Sequence, residues 1–225
     1  MDLLDWARGP LLAAALLVFF VGSAWRLVAL WRLPAAGIAG PPRAAYGHGQ
    51  AIGAALGRFS VRSWLPGSST LATFNPYLFH IGLAVVVLGY APHIAFARRL
   101  TGVWWPALPD AWMYLAAGVT IASLLLALLF RVTDPVLRRI SSADDHLTWA
   151  LTLLPLLTGM ALVGEPSSQV LAREVVVYRM PLAIHLLTVE LLLVWFPFGK
   201  LMHAFLAVPA RMQLASFLGR RGVRP

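Results

Sequence analysis

Runs of uncharged apolar residues long enough to cross a bilayer constrain this chain more than any other feature. A helix spanning a hydrocarbon core of roughly 30 Å takes about 20 residues, and it suits that medium because it satisfies its own backbone hydrogen bonds. Five such runs occupy about residues 10–30, 77–97, 111–130, 147–163 and 180–208. None alternates apolar and polar residues as barrel strands do. The expected fold is all-α and integral to a membrane: a five-transmembrane-helix bundle forming one membrane domain over residues 1–225. A chain that is 60% hydrophobic and 12% charged agrees with that class.

The first run is read as a retained helix, because MDLLDWARGP lacks a basic leader and a small-residue cleavage motif follows nowhere convincing. Residues 32–76 read as a loop rich in Gly, Pro and Ser, with AAYGHGQAIGAALGRFS forming a surface helix. The net charge of +9 does not indicate nucleic acid, since the arginines sit in short stretches between apolar runs. They indicate topology instead. Grouping the 32–76 loop, the segment between the third and fourth helices and the C-terminal segment, together with their helix ends, on one side collects 13 of the 18 Lys and Arg. Positive charge stays cytoplasmic, so the N-terminus is expected outside and the C-terminus inside, in the inner (cytoplasmic) membrane of a cell. Trp104, Trp105 and Trp112 read as interface anchors, and residues 142–145 as the cap of the fourth helix.

No cysteine is present, which excludes disulfides and thiolate-held metals. The polar residues that stand out are histidines. Of the six, His48 and His146 fall at loop or helix-end positions, whereas His80 and His93 lie in the second apolar run and His185 and His203 in the fifth. Ionisable groups inside a membrane are costly and mark functional sites by default. On one continuous fifth helix, the 18 positions from His185 to His203 make five full turns, so both rings share a face roughly 27 Å apart. Antiparallel second and fifth helices then pair His80 with His203 near the cytoplasm and His93 with His185 near the outside. Each pair can hold a haem iron axially, and without a CxxCH motif the haem is noncovalent, b-type. Zinc lacks further nearby ligands. The plain alternative is that each histidine bonds a carbonyl or a neighbouring helix.

Two segments carry a resemblance. NPYLFHIGLAVVVLG, from Asn75, and PLAIHLLTVELLLVWFPFGKLMHAFL, from Pro181, resemble the second and fifth helices of the respiratory nitrate reductase gamma subunit family. That family of five-helix dihaem cytochromes b includes related membrane cytochromes of heterodisulfide-reductase-like and sulfur-metabolism complexes. The resemblance implies a redox subunit of a larger membrane oxidoreductase, with lipid around it. It would exchange electrons with quinone or quinol near an outer haem and with a cytoplasmic iron–sulfur subunit through an inner one. It assigns the inner iron to His80 and His203 and one outer ligand to His185. The family's other outer histidine falls at Tyr90, leaving His93, 13 residues after His80, as the substitute, with Tyr90 itself as the alternative. Pro92 can kink the segment and re-aim His93.

Glu190, in the fifth run, is read either as an acceptor of a quinol proton or as a helix-packing hydrogen bonder. Lys200, Arg98 and Arg99 lie where haem propionates would emerge, and equally suit snorkelling cations. The competing class is a haem-free or single-haem helical anchor or a transporter subunit. A transporter should show an internal repeat or a pair of broken helices, and neither is visible in the sequence.

Overall fold

The computed structural model describes residues 2–32, 45–57, 70–163 and 179–223, and every regular element among them is helical. The elements are α1 (Leu3–Arg8), α2 (Pro10–Trp31), α3 (His48–Gly57), α4 (Thr70–Gly89), α5 (Ala91–Thr101), α6 (Asp110–Thr133), α7 (Pro135–Ile140), α8 (Ala143–Met160), α9 (Arg179–Trp195), a 3₁₀ turn (Lys200–Met202) and α10 (His203–Arg220). Much of the 32–76 loop, residues 33–44 and 58–69, lies outside the described residues, as do residues 164–178. Among the described residues four segments are long and apolar enough to cross a membrane: Leu3–Trp31, Leu71–Gly89, Asp110–Thr133 and Lys200–Arg220. The chain is an all-α, multi-pass membrane protein.

Hydropathy placed helices at 77–97 and 180–208 without interruption, and both expectations need correction. The first breaks at Tyr90, whose φ of −81° and ψ of 128° are extended. Pro92 has no N–H to return to the carbonyl of Leu88, so the α pattern cannot run through. The second ends at Trp195, and residues 196–199 are non-helical before the 3₁₀ turn. Pro197 removes another donor, and Gly199 adds freedom. His185 and His203 therefore do not share one helix, and the five-turn spacing between them is void. The segment expected as a tail beyond residue 208 is instead the second half of α10.

The chain divides into two compact units, one of residues 1–19 and 69–195, the other of residues 20–68 and 196–225. In the first, α4 lies against α6, and glycine lets them approach: a Cβ on Gly82 would collide with the hydroxyl of Thr120. Beside it the buried Asn75 donates to Ser123 O at 2.9 Å and accepts from Ser123 Oγ at 2.7 Å. Such cross-helix bonds hold apolar helices together where burial alone offers little. α6 meets α8 through Trp149, which donates to Leu124 O at 2.9 Å, and through Arg131 and the buried Asp145, 3.0 Å apart. Asp145 also closes the expected cap of α8, accepting from Ser142 N at 2.9 Å. α8 and α9 are joined by Trp195 Nε1 donating to Thr148 Oγ1 at 3.1 Å.

Arg179 ties the start of α9 to α1, its Nε 2.5 Å from Asp2 Oδ2 and its Nη2 3.0 Å from Asp5 Oδ1. That guanidinium, and next the backbone N–H of Asp5, hold the Asp2 carboxyl well below the usual carboxylate range.

In the second unit, the expected surface helix is α3, whose Ala51 and Ala55 are fully buried as α3 packs on α10. Residues i and i+4 share a helix face, and alanines there let the helices approach closely. Non-helical backbone at membrane depth must find donors. Arg26 supplies them, its Nη1 lying 2.9 Å from Pro197 O and 3.0 Å from Phe198 O. Gly22 makes room for Pro197, since a Cβ there would stand 2.8 Å from the proline ring.

Candidate functional site

His93 and His185 are brought face to face within the first unit, their ring centroids 6.3 Å apart and their planes 18° from parallel. The break at Tyr90 aims His93. With the helical pattern interrupted, the last carbonyls of α4 take other donors: Trp105 Nε1 bonds Leu88 O at 2.6 Å and Leu108 N bonds Gly89 O at 2.9 Å. Val86 O takes the imidazole itself, 3.1 Å from His93 Nδ1. A carbonyl only accepts, so Nδ1 carries the proton and, in the neutral ring, Nε2 carries the lone pair.

α8 and α9 fix His185 in the same tautomer. Thr158 gives its hydroxyl proton to Leu154 O at 2.8 Å, and its Oγ1 lies 3.1 Å from His185 Nδ1. With that proton committed, Oγ1 accepts from the ring. Thr188 donates to His185 O at 2.7 Å, closing the turn below. The ring lies over Gly159, where a Cβ would sit 2.9 Å from His185 Cε1. Thr158 and Gly159 are positioning residues that the sequence reading did not single out. A small residue beside a hydroxyl on a helix facing an intramembrane histidine was the available signal.

His93 and His185 are the residues of this unit that could hold a metal. A ligating histidine usually donates its other N–H to an oxygen, as both do here. With a metal–nitrogen bond of about 2 Å and roughly 1 Å from ring nitrogen to ring centre, two imidazoles on one metal have centroids about 6 Å apart. The rings here are 6.3 Å apart but stacked, so their in-plane Nε2 lone pairs do not meet along the line of centres, and holding one metal between them would require a ring to turn. Among the described residues no three His, Asp or Glu cluster together, so a closed all-protein shell has no place there.

The remaining site residues divide as follows. Tyr90 sets its ring edge-on to His93, centroids 5.3 Å apart, and its hydroxyl donates to Leu162 O at 3.3 Å. His80 is in the first unit, its Nδ1 donating to Pro76 O at 2.6 Å. His203 is in the second, its Nδ1 donating to Lys200 O at 2.8 Å, and Lys200 begins the 3₁₀ turn. Both rings therefore have the same tautomer as the facing pair. Glu190 is buried, but five residues from His185 is about 140° around α9, so it belongs to another face of that helix. Arg98 and Arg99 line a cleft with Ala91, Ile94 and Ala95, roughly 140° and 240° around α5 from His93.

Fold and pair together define the class: an all-helical, multi-pass membrane protein with two facing, Nδ1-protonated imidazoles. No family model matches the chain. A protein of Nitratidesulfovibrio vulgaris strain Hildenborough, described only as "Protein", is 32% identical over 217 residues, covering 92% of this chain and 89% of that one. The chain belongs to the same family as that protein.

Proposed function

We propose that the chain is a b-type cytochrome subunit that passes electrons between the membrane quinone pool and a cytoplasmic iron–sulfur partner. The observation that carries this reading is the approach of His93 and His185 within one unit, ring centroids 6.3 Å apart, each with Nδ1 engaged by an oxygen and Nε2 left as the lone-pair nitrogen. In this reading His93 and His185 would hold the outer haem iron, the inner haem is the one that the family resemblance assigns to His80 and His203, and the chain has five spans, the N-terminus outside and the inner membrane as location. A bound haem supplies a one-electron carrier at each site. The protein's part is to orient and to tune. Val86 O and the Thr158 hydroxyl fix the ring planes of the outer pair and raise the basicity of the ligating nitrogens. The Gly159 gap lets the His185 ring lie flat on α8. Glu190, buried in the same unit, is the carboxyl available to take a proton when quinol is oxidised nearby.

The two interrupted helices bear on the competing transporter reading, which uses unwound backbone to coordinate its cargo. Here the carbonyls at both breaks already have donors: Trp105, Leu108 and His93 at the first, Arg26 at the second. That commitment favours the cytochrome. A pyridine haemochrome assay on purified protein tests the reading, with two b haems per chain expected. Finding none overturns it in favour of a haem-free anchor, and finding one restricts it to a single pair.

A further inference from the structure

A cleft of about 580 Å³ opens on the side of α5 away from His93. α5 ends at Gly102, whose φ of 76° reverses the chain. Residues 103–109 then run back beside α5, pinned where Trp105 bonds Leu88 O and Leu108 N bonds Gly89 O. Ala91 and Ala95, one turn apart on α5, leave the floor open, and Trp104, Trp105 and Ala107 form the facing wall. Arg98 and Arg99 stand at the exposed end of the cleft. No acidic side chain forms an ion pair with either among the described residues.

We infer that this cleft binds the headgroup of an anionic phospholipid. Its volume falls within the roughly 300–1,000 Å³ of ligand sites. Two guanidiniums without carboxylate partners offer paired donors to a phosphate, for which their planar fork is suited. Indoles occupy the headgroup level of a bilayer, so the cleft sits at the depth where such a phosphate lies. The alanine floor accepts the first methylenes of an acyl chain. Basic pockets flanked by transmembrane helices recognise lipid heads in this way. The inference is independent of haem, and it gives Arg98 and Arg99 a role on a face of α5 that His93 does not share.

The test uses full-length protein in neutral detergent and lipids with brominated acyl chains, which quench nearby tryptophan. The Trp104 and Trp105 signal is taken as the difference from a W104F/W105F protein. Phosphatidylglycerol should quench it at a mole fraction about five- to thirtyfold lower than phosphatidylcholine, from the roughly fivefold that each basic side chain contributes near anionic lipid. R98Q/R99Q should abolish that preference, and single R98Q and R99Q should each remove part of it. Equal quenching by the two lipids in the wild-type protein overturns the inference, with no variant needed. Displacement of phosphatidylglycerol by millimolar inorganic phosphate overturns the lipid as the source of the anion. Loss of haem from R98Q/R99Q would assign the arginines to propionates and overturn it as well.

Discussion

Gly159→Ala probes the histidine pair without touching either histidine. A Cβ on Gly159 would lie 2.9 Å from Cε1, 3.4 Å from Nδ1 and 3.7 Å from Nε2 of His185. Carbon atoms rest about 3.5–4.0 Å apart, so the ring must retreat by roughly 0.6–1 Å. That movement exceeds the about 0.2 Å tolerance of a metal–ligand bond and lengthens the 3.1 Å Thr158 bond past hydrogen-bond range. The local cost is about 1–3 kcal/mol, as for other overpacked sites, partly offset by the roughly 1 kcal/mol that alanine gains over glycine in a helix. Net stability should therefore fall by no more than about 2 kcal/mol while the site is disturbed. The assay is haem content and the reduced-minus-oxidised spectrum of purified protein. One haem should be lost or spectrally shifted in Gly159→Ala. Gly118→Ala, on α6 where an added Cβ meets nothing within 4 Å, should be silent. A Gly159→Ala protein with both haems and an unaltered spectrum would refute the positioning role.

Three further outcomes are expected. Asn75→Ala, which removes the buried bonds to Ser123, should lower unfolding free energy by about 1 kcal/mol, near the average for cross-helix hydrogen bonds in membranes, as measured by steric trapping or mild-denaturant unfolding in detergent. Gly82→Ala should cost about 1–3 kcal/mol through collision with Thr120, and Gly82→Ala/Thr120→Ala should recover most of it; failure of the second change to compensate would contradict the close α4–α6 contact. Because the Asp2 carboxyl titrates below its ordinary value of 3.8 in the folded chain, the tie to Arg179 is complete above that pH and is lost as pH falls through the lower folded value. Protection of the second-turn amides of α9, taken relative to intrinsic exchange at each pH, should hold from pH 7 to about 4 and fall below, and Asp2→Asn should show the lower protection throughout.

What the sequence disclosed depended on which forces act locally. The apolar runs that became α2 and α6 were readable because length and lack of charge are enough to define a helix in lipid. The break at Tyr90 was half visible: Pro92 announced a kink, while the donors that make it tolerable, Trp105 and Leu108, come from residues beyond α5. The break at 196–199 was missed although Pro197 and Gly199 stand in plain view, because hydropathy does not fall there. Its compensation lies 171 residues away in Arg26, which reads as just another cytoplasmic cation. Counting helical rotation from His185 to His203 carried through that break and so misjudged their relation. His93 and His185, by contrast, were nominated by the scarcity of ionisable groups in lipid and by their matched heights on antiparallel runs, His185 also by the family resemblance. Their supports, Thr158 and Gly159, were not, since a threonine and a glycine in an apolar helix look like ordinary packing.

The central claim is that His93 and His185 act as one site. Haem counted in His93→Ala, His185→Ala and the double variant tests it most directly. Each single change should remove the same one haem from a two-haem protein, and the double variant should lose no more. Full haem content in either single variant, or an additive loss in the double, would contradict it.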